Sequence, residues 1–535
     1  MTIYPSRPLA TATAGMVVCP HDLASQVGLT MLQRGGHAVD AAIAMNAALG
    51  VVYPHMTGLG GDGLGLIYEA ATGQVHGLNG SGRAGQQATI ARFADLGLTT
   101  IPHRGPQAVM TVPGSVAAWQ LAHQRFGRLP WADLMQPAIA LATEGYPASA
   151  SQVAWTKRNQ DNFARHTPQD NPFLPNGQPP TVGQRLTNPA LATALSYLAK
   201  DGAAAFYHGT IAQAIVSHLQ SLDGCLTLED FAPSAADWVA PISTTYRGYR
   251  VWQMPPNTQG FTVLQMLNLL EPFDLASLGH GTADYYHLLV EITKLAVADR
   301  ERWLCDPDFV PIPLDRLISK TYADQRRSVI SLAQAQAQPA QPLGGDTIYS
   351  AAIDADGNVV SLLQSIYFDF GSAVVPPSLG FALHNRGALF SLDPHHPNAL
   401  APGKRPFHTL IPALVQHSDG RPYLALGTMG GEGQPQTQLA LLTRVLDFGF
   451  DPQTAIDLPR WLWGRTWGDQ ETRLTLEGRI PEEIRQALAQ RGHPIQAAPD
   501  WTDRMGHAHM IRIDPDTHQL QGGSDPRSDG SALGW

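Results

Sequence analysis

Cysteine is nearly absent from this chain. Three occur in 535 residues, at Cys19, Cys225 and Cys305. They are odd in number, far apart and at no metal-binding spacing, which excludes a disulfide framework and a cysteine metal site and leaves buried apolar thiols. Charge is also sparse, at 15% of residues, against 44% hydrophobic. That balance excludes a disordered or fibrous chain and leaves ample material for a large core. Basic residues are in deficit: 35 Lys plus Arg face 45 Asp plus Glu, a net charge of −10. Nucleic acid is therefore not expected as the main partner. The longest uncharged apolar run near the N-terminus, residues 41–52, is too short to cross a membrane and contains Asn46, so it reads as a buried helix. No charged segment followed by an apolar stretch opens the chain, so no signal peptide is read and a cytoplasmic location is expected.

Several chemical signatures are missing as well. There is no GxxxxGK[ST], no GxSxG and no HExxH. Residues 58–63, GLGGDG, match GxGxxG, but LGLIYEA follows and reads as a strand. A dinucleotide site needs a helix there, with its N-terminus on the pyrophosphate. The block is read instead as a turn that lets backbones pack closely. His507 and His509 would share one face of a strand and make a candidate zinc pair, yet no third ligand stands at a supporting spacing. No metal and no cofactor are expected.

What is present is organised in two halves. Segments near 113–147, 187–220, 259–272 and 282–305 have helical apolar spacing. From Thr347 the pattern turns to strand, turn, strand: TIYSAAI, DADG, NVVSLLQSI. Further strands are expected at 411–416, 422–427 and 507–513, and helices near 436–448, 452–457 and 481–491. Residues 332–342, LAQAQAQPAQP, show no packing pattern and are expected to be an exposed, flexible segment.

The hairpin carries the chemistry. A turn centred on Ala355–Asp356, or one residue later, places Thr347 opposite residues 364–366, with Ser365 in the middle. Two hydroxyls then meet at the end of a β-ribbon, beside Gly344-Gly345-Asp346. A threonine hydroxyl is a weak nucleophile until a base stands beside it. Cleavage of the chain at Asp346–Thr347 would supply one, the new α-amine, with a pKa of about 8. Taken alone, a threonine opening a strand is also an ordinary structural residue.

The surrounding text resembles the γ-glutamyltransferase family of N-terminal-nucleophile hydrolases over nearly the whole chain. The matching blocks include GGHAVDAAIA at 35–44, GLGGDG at 58–63, MPPNTQG at 254–260, ADRERWLCDP at 298–307, GDTIYSAAIDADGN at 345–358, GKRPFHTLIPAL at 403–414, GTMGG at 427–431, LPRW at 458–461 and SDPRS at 524–528. The resemblance implies an α/β fold of the four-layer αββα sandwich type. It implies a precursor that cuts itself into a large subunit, 1–346, and a small subunit, 347–535. It places the nucleophile on Thr347, its hydroxyl partner on Ser365 and the oxyanion-hole glycines on Gly430 and Gly431. The implied substrate is a γ-glutamyl amide or a glutaryl-type analogue, with water or an amine as acceptor. Neither nucleic acid nor membrane is implied, and a higher oligomer is left open.

Departures from the family pattern concern the substrate. Members specific for γ-glutamyl groups hold the α-carboxylate with an Arg and two Ser, and the α-amine with Asn, Gln and Asp. This chain has Ser81, His408 and Thr409 at the first set and Tyr367, Arg386 and Leu389 at the second. Asn385, next to Arg386, joins the candidate binding residues. The pocket is expected to have lost its preference for an ammonium group, with Arg83 or Arg386 clamping a carboxylate instead. This pattern resembles the acylase-like branch that includes cephalosporin acylases. Ile348 stands where many members carry a second Thr, and Tyr349 follows it, which keeps open an uncut, catalytically silent binding descendant.

Overall fold

The computed structural model describes residues 6–337, 342–343, 345–466 and 472–535. Fourteen strands form two seven-stranded antiparallel sheets. In chain order they are β1 (Ala10–Ala12), β2 (Met16–Cys19), β3 (Asp62–Glu69), β4 (Gln74–Gly80), β5 (Asp237–Val239), β6 (Ile242–Tyr246) and β7 (Tyr249–Gln253). They continue with β8 (Asp346–Ile353), β9 (Val359–Tyr367), β10 (Ala413–Gln416), β11 (Pro422–Thr428), β12 (Ala508–Ile513), β13 (Leu520–Ser524) and β14 (Ser531–Gly534). One sheet runs β14-β2-β8-β9-β3-β4-β5 and the other β1-β13-β12-β11-β10-β7-β6.

Strand alternation explains the layering. On β8 and β9, Ile348, Ala352, Val360, Leu362 and Ile366 pack into a core shared with helices, among them α1 (Ala38–Val52) and α2 (Ser115–Phe126). Tyr349, Ala351, Ile353, Val359 and Leu363 point the other way, against Leu414, Ala425 and Ile511 of the facing sheet. A third core lies behind that second sheet, under α3 (Gly260–Leu270), α4 (Ala283–Trp303) and α5 (Gln434–Leu446). Three cores between four layers make the αββα sandwich the sequence led us to expect. Strands buried on both faces read as continuous apolar runs, as these do.

The short run at 41–52 is indeed a buried helix. Every residue of α1 is buried, as an all-round apolar helix must be. His37 and Asp40 close its N-terminus as a reciprocal cap. Asn46 within it donates to Ala42 O and to Ser350 Oγ on β8, which fixes the helix on that strand. All three cysteines are buried and free; burial pushes the Cys19 thiol up to about 12.

The tract at 332–342 corrects an expectation. Residues 338–341 lie outside the described residues. The part before them is exposed but held through its backbone: Lys294 Nζ donates to Gln336 O at 2.9 Å, Gln336 N to Glu291 Oε2 at 3.1 Å and Ala335 N to Arg491 O at 2.7 Å. A Gln/Ala repeat without side-chain pattern can still be tied down by its main chain.

Candidate active site

The β8–β9 hairpin turns at Asp354–Asn358, where the Asp354 carboxylate accepts from the N–H groups of Asp356 and Asn358. Its register sets Asp346 opposite Tyr367 and Ile348 opposite Gln364. One residue, Thr347, thus faces two, Ser365 and Ile366. A bulge of this kind re-aims a side chain at a strand end. Tyr367 closes it with a φ of 77°.

Thr347 and Ser365 are both buried. Rather than facing each other, their hydroxyls converge on one oxygen. Thr347 Oγ1 donates to Asp346 O at 2.5 Å and Ser365 Oγ donates to the same oxygen at 2.6 Å. Ser365 Oγ accepts from Tyr367 N at 2.8 Å and from Arg386 Nη2 at 2.9 Å. With two donors aimed at it, the single Ser365 proton is directed at Asp346 O. The carbonyl of the Asp346–Thr347 bond is therefore polarised beside a hydroxyl. Burial, with Asp369 and Asp503 nearby, pushes the Asp346 carboxyl well above the usual carboxylate range.

Arg386 is fully buried. Its Nη1 donates to Thr409 Oγ1 at 2.8 Å, and its Cζ lies 4.5 Å from the centre of the Tyr367 ring. The Tyr367 hydroxyl donates to Glu432 Oε1 at 2.9 Å. Burial lowers the pKa of Arg386, yet a guanidinium stays protonated at neutral pH. Among the described residues no carboxylate pairs directly with it, and its Nε has no partner.

Gly430 and Gly431 follow β11, with φ of 134° and 51°. The turn is fixed through its carbonyls. Gln259 Nε2 donates to Gly431 O at 2.9 Å and to Thr409 O at 3.0 Å, and Arg300 Nη1 donates to Gln259 Oε1 at 2.8 Å and to Glu432 O at 3.1 Å. These contacts give the MPPNTQG and ADRER blocks a structural task.

Other expected residues stand at varying remove. His408 Nε2 donates to Asp62 Oδ2 at 3.1 Å; burial, then Arg386, bring its pKa down to about 4, so the ring is neutral. Asn385 is used by the protein itself, accepting from Phe368 N and donating to His103 O. Arg83 is not brought to the cluster. It is 42% exposed and held by Gly403 O, Asp306 and Asp308. His507 and His509 are both buried, but His507 precedes β12 and faces Tyr53, whereas His509 faces Ser524. The described histidines and carboxylates that do gather at metal-binding distance are His287, Glu291 and His493, and Lys294 already supplies a cation there, 2.7 Å from Glu291.

Asp62 escaped sequence reasoning. It pairs across the sheet with Ser365 and is fully buried. Its Oδ1 accepts from Gly82 N and Gly114 N. Burial alone would raise its pKa, but His384, His408 and Arg386 outweigh that and bring it down to about 2. The signal was the acid inside GLGGDG; its partners lie too far along the chain to be read from the block.

Ser365→Ala is expected to slow both chain cleavage and turnover while leaving the fold intact. It removes one hydroxyl that donates to Asp346 O, a bond worth about 0.5–1.5 kcal/mol in a neutral setting. Unchanged rates in a time course of cleavage and turnover would mean the hydroxyl is a bystander.

A four-layer αββα sandwich with a threonine hydroxyl at the end of an inner strand defines an amidohydrolase of the N-terminal-nucleophile class. The chain belongs to the gamma-glutamyltranspeptidase family, which matches residues 24–535. It is 47% identical over 522 residues to the glutathione hydrolase-like YwrD proenzyme of Bacillus subtilis, covering 98% of each. It is 40% identical to the oxamate amidohydrolase proenzyme of Klebsiella pneumoniae, covering 98% of this chain and 99% of that one. The crystal structure of a cephalosporin acylase from Bacillus halodurans superposes with a TM-score of 0.93 at 39% identity, over 100% of this chain and 98% of that one. Among the described residues, no helix is long and apolar enough to cross a membrane.

Proposed function

We propose that the chain is a precursor that cuts itself between Asp346 and Thr347, and that the product hydrolyses amides whose acyl group carries a carboxylate. The convergence of the Thr347 and Ser365 hydroxyls on the Asp346 carbonyl carries this reading. The proenzyme names of two relatives support it. In maturation, Thr347 Oγ adds to the Asp346 carbonyl carbon, and Ser365 holds the negative charge that develops on the oxygen. The C–N bond breaks to leave an ester, and water splits the ester into the Asp346 carboxylate and a free Thr347.

In turnover, the α-amine of Thr347 takes the hydroxyl proton as Oγ attacks the substrate carbonyl. The N–H groups of Gly430 and Gly431 are assigned to holding the oxyanion. Such donors are worth about 2.7–4 kcal/mol each when removed. The proton passes to the leaving amine, and water, or an amine acceptor, releases the acyl group. No step calls on a metal or cofactor.

The carboxylate requirement rests on Arg386. The charges of Asp62 and Glu432 act on this buried cation, and a substrate carboxylate adds a hydrogen-bonded partner. The same cation, with Leu389 in place of an acid, disfavours the ammonium of a γ-glutamyl group. His408 and Thr409 line the same region, with Thr409 holding Arg386. Ile348 and Tyr349 leave maturation unhindered on this reading: Ile348 packs among the helices, and the Tyr349 hydroxyl meets Ser361 Oγ at 3.0 Å.

Purified protein is expected to give two bands on a denaturing gel, the smaller beginning at Thr347 by N-terminal sequencing. It should hydrolyse a glutaryl anilide with a higher kcat/KM than the γ-glutamyl anilide. A single uncut chain would sink the maturation scheme. A γ-glutamyl preference retained in Arg386→Gln would sink the account of the pocket.

A further inference from the structure

We infer that Asp62 is a positioning residue, which holds Ser365 and Arg386 in place about the Asp346 carbonyl through its strand partner and its two histidine neighbours. This deepens the proposed cleavage and turnover and rests on that reading. Where the contacts of Asp62 lead carries the inference. On β3, Asp62 stands directly across from Ser365, whose hydroxyl donates to Asp346 O. Its Oδ2 accepts from His408 Nε2 at 3.1 Å, and the next residue, Thr409, holds Arg386 Nη1 at 2.8 Å. The same Oδ2 lies 3.8 Å from Nδ1 of His384, which stands two residues before Arg386. One carboxylate is thus the common root of every route to the groups around the scissile carbonyl.

Each route is stiff. Asp62 Oδ1 accepts from Gly82 N at 3.2 Å and from Gly114 N at 3.1 Å. That approach requires glycine at both places, since a Cβ on Gly82 would run into Val112 O and one on Gly114 into Gly80 O. His408 Nδ1 accepts from Leu410 N at 3.3 Å, which fixes the tautomer that donates from Nε2 to Asp62. Neither ring nitrogen is left for a substrate. His384 donates from Nε2 to Thr111 O and from its backbone to Gly60 O, both at 2.9 Å.

Only an acceptor suits this node. The hydrogen-bond partners of Asp62 all donate: two glycine N–H groups and the His408 ring. An amide in place of the carboxylate turns one acceptor into a donor, facing either the glycines or His408. Asp62→Asn therefore keeps the volume and breaks the link. The charge has a separate effect. Asp62 acts on Arg386 across the node, and a negative charge there opposes an incoming carboxylate. Loss of the carboxylate should loosen the Ser365–Arg386 pair without weakening the attraction of Arg386 for an anion.

The test compares Asp62→Asn with wild type in the rate of chain cleavage, in kcat and KM of the cut protein for a glutaryl anilide, and in competitive inhibition by glutarate. Cleavage and kcat are expected to fall roughly tenfold to a hundredfold, the scale of a misplacement of about 1 Å. KM and the inhibition constant are expected to stay level or fall, the mark of an interaction used in the transition state. A kept kcat with a raised KM would show a residue that only supports the binding site, and would overturn the inference. Should Asp62→Asn fail to fold, the comparison of His408→Gln with His408→Leu decides. The glutamine keeps a donor toward Asp62, and its chain should be cut about tenfold faster than that of the leucine variant. Equal rates for these two, or wild-type rates in Asp62→Asn, would overturn the positioning role and leave the proposed chemistry standing. Wild-type protein that stays whole would overturn both.

Discussion

Thr347→Ala is expected to run as one uncut band at the full 57.6 kDa, and to hydrolyse nothing above background. The same oxygen is asked to open the precursor and to attack the substrate, so one atom removed abolishes two reactions. The change should not unfold the protein. Thr347 is buried at the end of a strand, and the loss of a hydroxyl and a methyl there costs on the order of 1 kcal/mol. An unchanged thermal melt therefore belongs to the expected result, and it separates lost chemistry from lost structure. Thr347→Ser should cut and turn over, because the attacking atom is kept. Cleavage of Thr347→Ala at the same bond would mean that another group performs the attack.

The second large effect is on stability. Asp525→Ala should lower the unfolding free energy by about 3–5 kcal/mol, the usual cost of leaving a buried charge without its partner. Asp525 accepts from Arg460 Nη2 at 2.5 Å, from Arg527 Nη1 at 3.0 Å and from Ala508 N at 2.7 Å, all of them buried. Burial would raise its pKa, but Arg460 and Arg527 hold the carboxylate well below the usual range. Arg460 also donates to Met505 O and Gly506 O, and Gly506 borders Gly430. If Gly430 serves the oxyanion as proposed, turnover should fall together with stability. A urea midpoint close to wild type would show that the network is replaceable; full activity alongside lost stability would show that the oxyanion turn does not depend on it.

Much of this was legible in the sequence because it is local. The Asp356-Gly357 turn fixes the hairpin, and counting back along two strands puts Thr347 against Ser365. The bulge was not legible, because one unpaired residue leaves no mark on a period of two. Nor was the fate of the cations. Arg83 and Arg386 look alike in sequence, but Arg83 meets Asp306 and Asp308, more than two hundred residues away, while Arg386 hydrogen-bonds the hydroxyls of Ser365 and Thr409 and lies against the Tyr367 ring. Asp62 was hidden for the same reason, since its donors come from Gly82, Gly114 and His408. The divergence of His507 toward Tyr53 and of His509 toward Ser524 is likewise something spacing alone does not report.

Both sheets draw strands from either side of residue 346. In the first, β2, β3, β4 and β5 alternate with β14, β8 and β9; in the second, β1, β6 and β7 flank the four that come later. A cut at Asp346–Thr347 therefore nicks a finished weave. Neither piece keeps a complete sheet, so neither can hold its shape when parted. Folding has to precede the cut, and dilution should not separate the products. Two different precursors matured in one tube should yield no hybrids. Such an enzyme would be assembled once, from a single chain, with no later exchange of parts.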